Sequence, residues 1–97
     1  MLEIVKRPLA KEDIKNIWLY SFNAWGETQA DSYVLDLDQI ICKLAQTPTI
    51  GVKLEKVKNN YRQYHTKHHL VFYRYTKTTL EVVRILHEKM DVSRHQM

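Results

Sequence analysis

The sequence predicts an α+β fold in the order β-α-α-β-β-β, a helical hairpin packed on one face of a mainly antiparallel sheet. Two observations carry this reading. Between Ala10 and Gln46 apolar residues recur at intervals of three and four, interrupted by Gly26 alone. Between Tyr61 and His87 three short runs rich in aromatic and β-branched residues alternate with polar ones, joined by "TKH" and "TKTT", links short enough only for hairpins.

Taken in order, "LEIVKR" (2–7) reads as a strand ended by Pro8, which cannot donate to a ladder. Ile14, Ile17, Trp18, Phe22 and Trp25 then form the apolar face of a first helix, and Gly26 stops it. The second helix carries Ala30, Tyr33, Val34, Leu37, Ile41, Leu44 and Ala45 as one stripe, with Asp31, Asp36 and Asp38 off it. Two helices separated by one glycine fold back as a hairpin over 10–46. Pro48 and Gly51 punctuate "QTPTIG", and "VKLEKVKNN" (52–60) is a polar crossing segment. "YRQYH" (61–65), "HLVFYRY" (69–75) and "LEVVRILH" (80–87) are the strands of a meander over 61–87, leaving a short tail, 88–97. At 97 residues the chain fits one small domain, 1–97.

Register sharpens the reading. If Thr76 and Thr79 close the last hairpin, Arg74 faces Glu81, an attractive cross-strand pair. The same register sets Phe72 beside Val83 and Leu70 beside Ile85, a face suited to burial under the helices. The other face then carries Val71, Tyr73, Tyr75, Val82, Arg84 and Leu86. Closing the preceding hairpin at Thr66 and His69 adds Arg62 and Tyr64 to it. Two helices cover one face only, so this aromatic and aliphatic face with its arginines is expected to be an open binding surface, the alternative being that the crossing segment 52–60 or the tail 88–97 covers it.

Charge is uneven. Residues 1–51 hold five Lys/Arg and seven Asp/Glu, and residues 52–97 hold ten and four, so a balance of −2 gives way to +6. A basic half favours an anionic partner, nucleic acid or an acidic protein segment. The N-terminus does not read as a signal peptide and no apolar run reaches membrane-spanning length. The single cysteine, Cys42, reads as a small residue on a buried helix face and suits a reducing, cytoplasmic setting. No glycine-rich phosphate loop or nucleophile elbow is present, so no cofactor is expected. His65, His68 and His69 sit at a hairpin turn with no carboxylate or cysteine beside them in sequence, and read as solvated turn residues, not metal ligands.

Cleavage of RNA through its 2′-hydroxyl requires a base, an acid and cations for the developing charge. Arg62, Arg74 and Arg84 are the candidate cations, with His87 or His95 to move the proton. Arg84 and His87 differ by an odd number, so a regular strand points them to opposite faces and they do not share one phosphate, unless a bulge intervenes or the strand ends at Leu86. His87 then reads as a cap at the end of its strand. Trp18 and Trp25 lie at core spacing, although Trp25 at the hairpin tip is also a candidate anchor for a partner.

Taken in sequence, "DIKNIWLYSFNAWGETQADSY", "LAQTPTIG", "YRQYHTKHHLVFY" and "VVRILHEKMD" resemble the ParE toxins of the RelE/ParE superfamily, from about Asp13 to Asp91. The most specific points are Trp25-Gly26 with Gln29-Ala30, Pro48 with Gly51, Arg62, and Arg84-Ile85-Leu86-His87 with Met90-Asp91. The resemblance implies the toxin of a type II toxin–antitoxin system that stalls DNA gyrase without catalysis, with no direct contact to nucleic acid. It implies a toxin–antitoxin hetero-oligomer, the antitoxin being partly disordered with an N-terminal DNA-binding domain. Arg62, Tyr64, Val71, Tyr73, Val82, Arg84 and Leu86 are the expected contacts to antitoxin or target, with Trp25 and Met90 as further target contacts. The alternative is a ribosome-dependent messenger-RNA endoribonuclease using Arg62, Arg84 and His87.

Overall fold

The computed structural model describes residues 1–54 and 60–89. The chain runs β1 (Glu3–Lys6), α1 (Pro8–Trp25), α2 (Glu27–Gln46), a 3-10 turn (Pro48–Ile50), β2 (Val52–Lys53), β3 (Arg62–Thr66), β4 (His69–Tyr75) and β5 (Thr79–His87). The five strands form one sheet in the order β1-β5-β4-β3-β2. β1 pairs parallel to β5 and every other pair is antiparallel. The α+β fold with two helices on a mainly antiparallel sheet is as the sequence reads, with two additions. Val52 and Lys53 are not crossing chain but a short edge strand, and α1 begins two residues early because Pro8 suits a first helical position, where no N–H is needed. Residues 55–59 of the expected crossing segment, and 90–97 of the tail, lie outside the described residues.

Gly26 joins the helices with φ +94°, a conformation that favours glycine, and its N–H returns to the Phe22 carbonyl at 2.8 Å. Glu27 opens α2 and Lys43 lies in its last turn, each complementing the helix dipole. Trp18 Nε1 donates to Asp31 Oδ1 at 2.8 Å, tying the helices together. The buried face of α1 is Ala10, Ile17 and Ser21, with Ile14 packed against the core. Phe22 and Trp25, expected on that face, are exposed, and Trp18 is half-buried and stacked on Phe22 with centroids 5.1 Å apart. Cys42 is exposed too, beside rather than within the α2 stripe.

Both hairpins close as expected. Thr66 faces His69, the Thr76 N–H reaches the Thr79 carbonyl at 2.8 Å, and Arg74 faces Glu81 with Nε 2.6 Å from Oε1. The register holds as far as Tyr73 opposite Val82. There Val83 bulges out, so Phe72 faces Arg84 and Leu70 faces Leu86, one residue beyond the expected Val83 and Ile85.

Up to the bulge the faces are the reverse of the expectation, whereas beyond it Ile85 lies beneath the helices and Leu86 on the opposite face, as expected. Val71, Tyr73 and Val82, assigned to an open surface, are fully buried beneath the helices with Leu80, Ile85, Leu37, Ile41 and Leu44. Tyr64 and Tyr75 pack at the margin of this core. On the other face Phe72, Val83 and Leu86 are buried with Tyr61, and Leu54 and Leu70 pack against them. Neither apolar face is therefore an open surface. Alternation showed two apolar faces but not which one the helices take. The arginines misled, because each finds a partner in the fold instead of needing water.

Candidate functional site

β1 covers the edge of β5 only through Lys6 opposite Val82. Beyond that point no described strand pairs with β5 on the β1 side, and α1 leans over it. Between them lies a cleft of about 640 Å³. Ile17, Ile85 and Leu86 line it with apolar surface, and Tyr20, Trp25 and Tyr33 supply aromatic rings. Polar groups enter from Asp13, Arg84, His69 and His87 among others.

Arg84 faces Phe72 across the sheet, yet its guanidinium meets Asp13 of α1. Arg84 Nε lies 2.8 Å from Asp13 Oδ2 and a terminal nitrogen lies 2.9 Å from Oδ1. The same Oδ2 accepts the Ile85 N–H at 3.0 Å. Both side chains are close to buried, 12% and 11% exposed, and the bond to Asp13 raises the Arg84 pKa further above its ordinary value. Arg84 is thus a partnered structural cation at the mouth of the cleft. Sequence reasoning missed Asp13, although a signal existed. It stands three residues after Ala10 and four before Ile17, a carboxylate inside the buried stripe.

Arg62 points elsewhere. One of its terminal nitrogens donates to the carbonyls of Gly51, at 2.9 Å, and Thr49, at 3.3 Å. Tyr73 fastens the same loop, its hydroxyl donating to the Pro48 carbonyl at 2.7 Å and accepting the Gly51 N–H at 2.9 Å. Arg62 does not line the cleft that holds Arg84 and His87. Arg74 shares Glu81 with Arg7, whose hydrogen bond is the main reason the Glu81 carboxyl is held below the usual range.

The histidines gather at the far end of the cleft. His69 Nδ1 lies 2.6 Å from the Tyr33 hydroxyl, and its ring meets that of His87 edge-on at 5.4 Å. Burial, then the His87 charge, lowers the His69 pKa to about 4. His87 Nδ1 accepts the Lys89 N–H at 3.2 Å, capping the turn that leaves β5. His65 pairs with Glu88 at 2.8 Å, so a carboxylate does stand beside the turn histidines, and that bond lowers the Glu88 pKa. His69 was not a solvated turn residue after all. It shares a strand face with buried Val71 and Tyr73, which is the signal the sequence offered.

Of the expected contact residues, then, Arg84, Leu86 and Trp25 meet around one cleft, joined by His87 of the endoribonuclease alternative, whereas Arg62 and Tyr64 lie apart from it. Met90 is outside the described residues. Tyr20 and Trp25, both in the lining of the cleft, are largely open, at 69% and 66% exposed, with ring centroids 6.1 Å apart.

The comparisons with known proteins agree with this architecture. Residues 4–92 match the family described as the ParE toxin of the type II toxin–antitoxin system parDE. A toxin named ParE1 from Mycobacterium tuberculosis is 36% identical over 89 residues, 91% of each chain. A ParE1 toxin of Caulobacter vibrioides is 36% identical over 86 residues, 89% of this chain and 88% of that one. Among solved structures, a chain of the chromosomal ParDE system of P. aeruginosa superposes with a TM-score of 0.75 at 17% identity, covering 90% of this chain and 96% of that one. A chain of the RelBE2 toxin–antitoxin complex of M. tuberculosis superposes at 0.70 and 13% identity, covering 90% and 98%. With two helices on a five-stranded mixed sheet and a family match that spans nearly its whole length, the chain belongs to the ParE toxins of type II toxin–antitoxin systems, within the RelE/ParE superfamily.

Proposed function

We propose that this toxin acts without catalysis, by binding and stalling DNA gyrase in the cytoplasm, and that a cognate antitoxin neutralises it by filling the cleft between α1 and β5. The observation that carries the non-catalytic reading is the Arg84–Asp13 pair. A cation bonded through two nitrogens to one carboxylate is ill placed to stabilise a developing phosphorane, since drawing it away strips the nearly buried Asp13 carboxylate of that pairing. Arg62 holds loop carbonyls away from the cleft, and His87 Nδ1 already accepts a backbone N–H. The antitoxin reading is supported by the cleft's apolar lining and the exposed Tyr20 and Trp25, the rigid aromatic surface on which a segment disordered when free folds. The basic half of the chain complements an acidic segment.

A gyrase supercoiling and DNA-cleavage assay with purified toxin, run beside cell-free translation, tests the first part. Cleaved DNA accumulating with translation unaffected supports it, and in that case His87→Gln retains toxicity. The competing endoribonuclease reading is favoured by one observation, that Arg84 and His87 line the same cleft despite their odd spacing. It requires blocked translation with cut messenger RNA and loss of toxicity in His87→Gln. That result would sink the gyrase reading.

A further inference from the structure

The far wall of the cleft is held by groups that titrate. His69 of β4 bridges to α2 through Tyr33, at 2.6 Å, and meets the His87 ring of β5 at 5.4 Å. The turn beside it, Lys67–His68, carries Lys67 at φ +51°, over the Tyr33 ring at 5.4 Å and bonded to Asp36 of α2. His68 and His69 both line the cleft, so the turn is itself part of the wall.

We propose that protonation of His69, which meets the His87 ring, releases the β3–β4 turn from α2 and so opens one wall of the cleft in mild acid. In the closed form a charged His69 is taken out of water beside a second imidazole, with His68 adjacent. A Tyr33 hydroxyl that donates to Nδ1 fits the neutral ring. Once the turn swings out, His69 charges freely in water.

The groups that oppose release are identifiable. Glu88 and the Asp13 carboxylate attract the His69 proton, but both already face cations or imidazoles, Glu88 at His65 and Asp13 at Arg84. The His65–Glu88 pair ties β3 to the chain beyond β5, not to α2. Lys67–Asp36 does reach α2, but both side chains are largely exposed and water screens them. Burial and His87 outweigh these attractions, and the pKa of closed His69 falls to about 4.

The sign follows. The closed form binds fewer protons than the open one, so its advantage is complete above the ordinary histidine range. It is lost as pH falls from there toward about 4. With one proton taken up, the opening constant rises up to about tenfold per pH unit in that window.

Amide hydrogen exchange of the free full-length toxin, followed by NMR across about pH 7 to 5 and corrected for intrinsic rates, tests this. We expect exchange from Lys67 to Leu70 and around Tyr33 to accelerate by up to about tenfold per unit while Val71–Tyr73 stay protected. His69→Gln should flatten the response, and His87→Gln should narrow it, since without His87 the closed form holds the His69 proton more readily and the response levels off at higher pH. Turn exchange that does not change with pH overturns the proposal. So does acceleration spread evenly over the sheet, or an unchanged response in a folded His69→Gln.

The consequence that acid weakens antitoxin binding rests on the cleft reading above, and the two fail differently. Turn opening without loss of affinity for the cognate antitoxin removes the cleft as its seat and leaves the proton device standing. Affinity lost without turn opening does the reverse.

Discussion

Asp13 stands where the next strand would be. Its Oδ2 accepts the Arg84 Nε–H at 2.8 Å and the Ile85 backbone N–H at 3.0 Å, beyond the end of β1. A helix carboxylate thus satisfies a strand edge that would otherwise invite pairing with another chain.

Removing that carboxylate leaves Arg84 and the Ile85 N–H without their bonds to α1. Asp13→Ala is expected to lower unfolding stability by about 3 kcal/mol, and Asp13→Asn by less, since the amide still accepts one bond. Urea unfolding followed by circular dichroism measures this. A change within about 0.5 kcal/mol would mean the pair contributes no net stability.

Gly51 is required by proximity, not by backbone angle. A Cβ there would lie 2.2 Å from the Tyr73 hydroxyl, and Tyr73 is fully buried. Gly51→Ala should destabilise by about 2 kcal/mol through overpacking. Tyr73→Phe should cost about 1–2 kcal/mol by leaving the Gly51 N–H and Pro48 carbonyl unpaired. Because one atom carries both effects, the double variant should be milder than the sum, which a double-mutant cycle reads directly.

Glu81 sets an acid limb. Its hydrogen bonds from Arg7 and then Arg74 hold its pKa below the usual carboxylate range. Its stabilising contribution is therefore full above that range and is lost as pH falls through the lowered value. In Glu81→Gln the acid-side slope of stability against pH should flatten. An unchanged slope would assign the limb to other carboxylates.

Trp25 and Tyr20 separate binding from folding. Both are mostly exposed, so Trp25→Ala and Tyr20→Ala should leave stability within about 0.5 kcal/mol of the parent. Loss of an aromatic anchor should weaken antitoxin binding by at least about tenfold, measurable by calorimetry. Unchanged affinity in both would move the antitoxin off this part of the molecule.

Periodicity made the elements legible. The apolar stripe of α2, the stop at Gly26, both hairpin closures and the Arg74–Glu81 pair are all local, fixed by residues within one turn or one hairpin of each other. The family resemblance, too, lay in ordered local spacings. The α1 face was misjudged because its exposed aromatics, Phe22 and Trp25, carry the same hydrophobic signal as core residues.

The candidate site was less legible. Arg84 and His87 were named, but Asp13, Tyr33 and His69 were not given their roles, because each acts through a partner more than thirty residues away. Alternation in the sequence by itself determined that the sheet has two apolar faces. Only the tertiary structure decided which one the helices cover, because strand parity is blind to what lies above the sheet. Packing and the satisfaction of Arg84 by Asp13 and of Arg62 by the Gly51 loop settle that choice, and the bulge at Val83 then displaces every pairing beyond it by one residue.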